Sequence, residues 1–170
     1  MIDRDNITVV KNRDEFKRRL ADTIGDARMK GSGLALLYID IDNMKHFNMH
    51  NGHLVGDEML ERFVALVEPM LGNRHSLFRT SGDEFAIIFS NSSREEALQL
   101  SQQICDISRE KLAPPQPTHC GDRQCLGPAK ISVSVGVGLF EQNMNAESFL
   151  QSIENKMYHA KSAGKDRVCI

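Results

Sequence analysis

The sequence predicts an α/β (α+β) protein: a central mixed or antiparallel sheet of about five strands wrapped by helices. Three observations carry that expectation. Residues 34–42 (LALLYIDID) form a continuous apolar run closed by acids, the pattern of a strand buried on both faces. Two short strands, residues 76–80 and 84–89, flank Ser81-Gly82-Asp83 and read as a β-hairpin. Helical and strand patterns follow the order α, β, α, α, β-hairpin, α, β, α, β, and a tight hairpin in that order argues against a doubly wound parallel sheet.

Each element has its own signal. Asn12 is a helix cap, and Phe16, Leu20, Ile24 and Ala27 then recur at helical spacing until Gly31-Ser32-Gly33. Residues 43–52 are polar and irregular, with room for one short helix. Residues 53–71 outline an apolar helical face through Met59, Leu60, Phe63, Val64 and Val67, with Pro69 challenging the last turn. Asn91-Ser92-Ser93 caps a helix over 94–111. Residues 113–128 hold prolines and glycines and read as a long loop. Alternating Ile131, Val133, Val135, Val137 and Leu139 predict a strand over 130–140. A helix over 147–162 stops near Gly164, and residues 167–170 are long enough for a last short strand.

The chain has 170 residues, read as one domain over 1–170 with loop 113–128 inside it. Lys+Arg total 21 and Asp+Glu 23, a net charge of −2, so bulk basic charge does not drive the chain onto nucleic acid. No stretch approaches the roughly 20 apolar residues of a membrane span, and the charged N-terminus carries no secretory signal. Cys105, Cys120, Cys125 and Cys169 are too scattered for a disulfide framework and read as reduced thiols. The resulting expectation is a cytoplasmic location.

Three clusters carry chemistry: Asp40 and Asp42 at the end of the buried strand, Asp83 and Glu84 at the hairpin tip, and Lys161 with Lys165 near the end of the last helix. If the two strands are neighbours, the acids converge and suit Mg²⁺, a hard cation that prefers oxygen ligands shared with phosphates. The lysines then balance polyphosphate charge from the other side. Residue types alone leave a second reading open, in which strand-end acids cap or face solvent, as expected for Asp42, and the lysines favour the helix dipole. Asn48 and Asp57 offer the amide and carboxylate that read a guanine edge, or simply belong to a turn and a helix. His46, His50 and His53 lack a nearby Cys and the Glu of zinc proteases, so zinc is not predicted there. Cys120 and Cys125 read as loop thiols.

Together these clusters resemble the GGDEF family of bacterial diguanylate cyclase domains. The resemblance runs from Asp5 to Val168. Asp5-Asn6-Ile7-Thr8, Asn12-Arg13 and Phe16 match the family's start. Asp40-Ile41-Asp42, Lys45, Asn48, Gly52-His53 and Gly56-Asp57 match its long second motif. Arg79-Thr80-Ser81-Gly82-Asp83-Glu84-Phe85 matches the signature, and Ser132 to Val137, Tyr158, Ala160-Lys161, Gly164-Lys165 and Arg167-Val168 match the remainder.

The resemblance implies a nucleotide-cyclase-like fold whose hairpin carries the signature. It implies joining of two GTP into cyclic di-GMP with release of two pyrophosphates, Mg²⁺ or Mn²⁺ as cofactor, and a homodimer for catalysis. It also implies an upstream sensor or dimerisation domain, expected outside this chain, in a signal-transduction protein acting on neither nucleic acid nor membrane through this segment. Residue by residue, Asp40, Asp83 and the Ile41 carbonyl are implied as metal ligands. Asp83 and Glu84 are the implied catalytic acids, Glu84 placed to help the metal and the 3′-hydroxyl, and Asn48 and Asp57 the guanine readers. Asn43, Met44, Lys45, Lys161 and Lys165 are the implied triphosphate contacts.

Five positions depart from the pattern. Ser81 replaces the first signature glycine, where a Cβ is expected to crowd the nucleotide or strain the turn. That departure keeps open an alternative, a GTP-binding regulatory domain with impaired turnover. Met49 replaces an aspartate and Val9 an early glycine. Gly72 and His75 stand where many members carry an inhibitory Arg and Asp, so product inhibition at that site is not expected. The retained Asp57 complements guanine better than adenine, which argues against another cyclic nucleotide.

Overall fold

A computed structural model describes residues 3–72, 75–112 and 131–170. The elements run α1 (Arg13–Lys30), β1 (Leu34–Ile41), α2 (Met44–Asn51), α3 (His53–Leu71), β2 (Ser76–Ser81), β3 (Glu84–Ser90), α4 (Arg94–Lys111), β4 (Val133–Leu139), α5 (Ala146–Ser162) and β5 (Arg167–Cys169). Asn12 and Ser93 cap α1 and α4 as predicted, and Asn145 caps α5, each side chain accepting from first-turn amides. Pro69 lies inside α3 rather than ending it. Expectations for residues 113–128, including Cys120 and Cys125, lie outside the described residues.

The five strands form one sheet in the order β2-β3-β1-β4-β5. Only β4 and β5 pair in parallel, and the other three pairings are antiparallel. The predicted hairpin supplies two of the five strands. Strand β1 sits at the centre and is buried along its whole length, which is why it reads as an unbroken apolar run. Its alternate side chains serve two cores. Ala35, Leu37, Ile39 and Ile41 pack with α2, α3 and α4 on one face. Leu34, Leu36 and Tyr38 pack with α1 and α5 on the other.

The α5 face depends on absent side chains. A Cβ on Gly136 would run into the Ile153 carbonyl oxygen and the Met157 amide, and one on Gly138 into the Ile153 side chain. Two glycines on β4 therefore let α5 lie directly against the sheet. At the other edge, residues 3–12 run beside β2 through a bridge from Lys11 to Phe78. Val9, where the family has a glycine, is held in left-handed conformation at φ 60°, a strained state for a β-branched residue.

The close approach of α5 gives a stability prediction. Gly136→Ala is expected to cost about 1–3 kcal/mol by overpacking against helix backbone. Gly25→Ala, in α1 with open space around its Cβ, is expected to stabilise by about 0.5–1 kcal/mol through helix propensity. Urea denaturation of both variants checks the contrast.

Candidate active site

Asp40 and Glu84 are direct cross-strand partners of β1 and β3, so both project from the α5 face at the same end of the sheet. Asp83 precedes Glu84 in the turn, and its carbonyl accepts from the Ile41 amide at 3.0 Å. The predicted convergence of the two acidic clusters is present. Lys161 reaches over from α5 and donates to Asp40 Oδ2 at 2.7 Å. The other oxygen, Asp40 Oδ1, is buried with no hydrogen-bond partner among the described residues. Burial pushes the Asp40 carboxyl up to about 6. Lys161 pulls against that shift, while Asp83 and Asp42 add to it.

An orphaned, buried carboxylate oxygen among further acids is the donor set a hard divalent cation needs. Asp40, Asp83 and the Ile41 backbone fit such an ion. Ile41 and Asp83 line a cleft of about 340 Å³ with Lys45, Lys161 and Lys165, and Asp40, itself buried, is bonded to Lys161.

Asp42 corrects one expectation. It neither faces solvent nor caps; it is fully buried. Ser132 Oγ donates to its Oδ2 at 2.7 Å and Ser134 Oγ to its Oδ1 at 2.8 Å. The Asp166 amide donates to Oδ2 at 3.1 Å. That third bond holds the turn after α5, where Lys165 and Asp166 are consecutive left-handed residues with φ 62° and 52°. Arg109 braces the same turn from α4, its Nε donating to both Asp166 oxygens at 2.9–3.0 Å. The turn sends Lys165 Nζ to Asn43 Oδ1 at 2.6 Å, at the start of α2. Asp42 thus supports the cationic wall of the cleft rather than touching a ligand.

A second cleft of about 530 Å³ adjoins the first and shares Met44, Lys45, Met49 and Asp83 with it. Asn48 and Asp57 both line it. The Oδ1 of Asn48 is buried without a hydrogen-bond partner among the described residues. Gly56 makes room for that amide, because a Cβ there would overlap Asn48 Oδ1. Asn48 offers an unspent acceptor and Asp57 a carboxylate, a pair suited to a purine edge carrying N–H groups.

Residues 81–84 do not show the expected strain, since none of them has a positive φ. A bulge between Arg79 and Ser81 shifts the register, so Ser81 rather than Thr80 pairs with Glu84. Ser81 Oγ donates to Glu84 Oε2 at 2.9 Å, and Tyr38 Oη donates to the same oxygen at 3.3 Å.

Arg79 holds the turn from below, donating through Nε and Nη2 to the Gly82 carbonyl at 3.0 and 2.7 Å. Its Nη1 donates to Asp5 Oδ1 at 2.8 Å. Burial alone would raise the Asp5 carboxyl, but bonds from Thr8 and Arg79 outweigh it and hold it below its ordinary range. Arg79 and Tyr38 are site residues the motif reading did not assign. Tyr38 was visible as the residue two before Asp40 on one strand face, and Arg79 as a cation three residues from Gly82. Gly72 and His75 lie elsewhere, near the end of α3 and before β2, with the His75 ring stacked on Phe89 at 4.1 Å.

A central antiparallel strand with acids at its end, beside a hairpin with acids at its tip, defines the nucleotide-cyclase-like fold. The family profile for the diguanylate cyclase GGDEF domain matches residues 2–167, and the chain belongs to that family. The chain is 28% identical over 167 residues to an uncharacterized membrane protein of Staphylococcus epidermidis, covering 96% of this chain and 44% of the relative. It is 29% identical over 164 residues to the diguanylate cyclase DgcP of Pseudomonas aeruginosa, covering 96% of this chain and 23% of that protein. The GGDEF domain of DgcB from Caulobacter crescentus, solved in complex with c-di-GMP, superposes with a TM-score of 0.84 at 23% identity, covering 98% of this chain and 91% of that one.

The chain thus spans less than half the length of these two curated relatives. The cytoplasmic location expected from composition is overturned, because relatives that align over 96% of this chain are named as membrane proteins. Among the described residues no helix is long and apolar enough to cross a membrane.

The raised Asp40 carboxyl gives a pH prediction. The folded state holds this proton up to about pH 6, whereas the unfolded chain releases it near 3.8. Stability of the metal-free protein therefore falls as pH rises across that window and stays lowered above it. Asp40→Asn removes the penalty, so its stability relative to wild type is expected to improve by on the order of 2–3 kcal/mol between pH 3.5 and pH 7. Denaturation of both proteins at the two pH values measures the difference; a constant offset contradicts it.

Proposed function

We propose that this domain is a diguanylate cyclase that joins two GTP molecules into cyclic di-GMP. The observation that carries the reading is the pairing of Asp40 and Glu84 beside Asp83, with an unspent buried oxygen on Asp40 and Lys161 and Lys165 opposite. Membership of the GGDEF family supports it, as does the likeness to a named diguanylate cyclase.

In this reading the guanine enters the larger cleft, where Asn48 accepts and Asp57 accepts from the N1–H and exocyclic amine. The triphosphate lies over Asn43, Met44 and Lys45 at the start of α2. Lys45, Lys161 and Lys165 neutralise its charge. Asp40, Asp83 and the Ile41 carbonyl hold Mg²⁺ or Mn²⁺. The bound ion supplies Lewis-acid polarisation of the phosphate oxygens.

Two copies face each other, each holding one GTP. The 3′-hydroxyl of one GTP attacks the α-phosphate of the other, with Glu84 at the hydroxyl to take its proton. A 3′-O–P bond forms, the bond from the α-phosphorus to the bridging oxygen breaks, and pyrophosphate leaves. The second, equivalent transfer closes the ring. The domain contributes positioning and charge stabilisation more than covalent chemistry. Neither Gly72 nor His75 offers the Arg–Asp pair of the family's inhibitory site, so the product is not expected to inhibit there.

Incubation with GTP and Mg²⁺ at a series of protein concentrations, with product identified by mass spectrometry, tests the reading. Cyclic di-GMP is expected, with specific activity rising with protein concentration below the dimerisation range. Asp83→Ala and Glu84→Ala are each expected to lower the rate by at least about 100-fold. A metal-loaded dimer that releases no cyclic di-GMP would sink the proposal.

A further inference from the structure

Where the family signature has a glycine, this chain has a hydroxyl placed on the second signature acid. Ser81 Oγ donates to Glu84 Oε2 at 2.9 Å, and the buried Tyr38 donates to that same oxygen from the opposite side, out of β1. No described residue donates to Oε1. On α5, burial and the neighbouring Glu84 charge both push the Glu154 carboxyl above its ordinary range, which marks a like charge pressing on this side chain. A glutamate has several rotatable bonds, and repulsion favours rotamers that swing it away. Two hydroxyls on one oxygen from two different strands oppose that swing and leave the other oxygen, Oε1, without a described donor.

We propose that Ser81 is a positioning residue for Glu84, and that its hydroxyl supplies the carboxylate orientation that turnover uses. The inference rests on the cyclase reading and inverts the expectation attached to this position. Serine here does not strain the turn, because residues 81–84 have no positive φ, and its side chain is exposed. It is a donor that a glycine lacks. The bulge between Arg79 and Ser81 brings the hydroxyl to the face that carries Glu84.

The test compares Ser81→Gly, Ser81→Ala and Ser81→Thr with the wild type. Loss of the donor in Gly and Ala is expected to lower kcat roughly five- to tenfold with KM for GTP within about twofold, as befits a misoriented reacting group rather than a lost binding contact. Threonine keeps the hydroxyl and is expected to restore kcat to within about twofold. An exposed site leaves the thermal midpoint unmoved, so a purely structural role predicts a different pattern. A Ser81→Gly variant as fast as wild type or faster overturns the proposal.

A second readout separates this result from failure of the cyclase reading itself. The cyclase reading also places Glu84 to help hold the ion, so Mn²⁺ affinity is measured by electron paramagnetic resonance in the presence of a non-hydrolysable GTP analogue. Weakening by about threefold or more in Ser81→Gly and Ser81→Ala, but not in Ser81→Thr, supports the positioning role even if the wild type makes no product. Without wild-type turnover, unchanged Mn²⁺ affinity overturns it.

Discussion

The open end of the sheet is held together by one buried carboxylate. Asp42 receives a hydroxyl from Ser132 just before β4, a second from Ser134 within it and one amide from the turn after α5, so three parts of the chain meet on two oxygens. A buried charge is costly unless its lone pairs are filled, and here the filling groups come from segments about 90 and 124 residues away. Satisfying Asp42 therefore fixes where α5 ends relative to β1. It also holds Lys165 and Asp166 in two successive left-handed conformations that neither residue favours alone. The Lys165 ammonium and the Asp40–Lys161 ion pair take their positions from that arrangement.

Charge around the cleft is balanced on one side and unbalanced on the other. Asp40 spends one oxygen on Lys161 and leaves the other bare, while Asp83 lies close enough to raise its proton affinity. Asn48 likewise keeps a buried acceptor unspent. Protein interiors rarely leave such atoms idle. Asn48 lines the larger cleft, and Asp40 is bonded to Lys161, which lines the smaller one, so both unspent acceptors stand at the end of the sheet where the lysines are. The near-neutral net charge of the chain conceals this local separation.

The fold was legible because its strongest elements carry redundant signals. β1 is apolar on both faces, β4 alternates, and Asn12 and Ser93 stand at helix starts with the capping chemistry those positions require. The convergence of Asp40 with Asp83 and Glu84 was legible only conditionally, since it required β1 and β3 to be neighbours.

Asp42 was not legible. An acid two residues beyond Asp40 looks the same whether it is exposed or buried, and its partners Ser132 and Ser134 look like ordinary polar strand residues. The hydrogen bond from Ser81 to Glu84 was hidden for a similar reason. A residue name shows that a Cβ is present but not the φ angle or the bulge that decide what the side chain meets. The location was misread because the composition of this chain carries no signal of the membrane association in the names of its relatives.

The bulge at Thr80 has a further consequence for how this hairpin tolerates length change. Along β2 the residues from Ser76 to Arg79 pair in one phase, and Ser81 pairs in the other. Thr80 is the single residue that absorbs the shift. Deleting one residue between Arg79 and Gly82 would restore an unbroken ladder, with better local hydrogen bonding than the native hairpin. It would also shorten the reach of the turn that carries Asp83, and removal of Ser81 rather than Thr80 would put Thr80 across from Glu84. Conventional strand geometry and the acid arrangement are thus in direct competition over one residue of chain length. Insertions and deletions here would be read by the site as rotations rather than as changes in size.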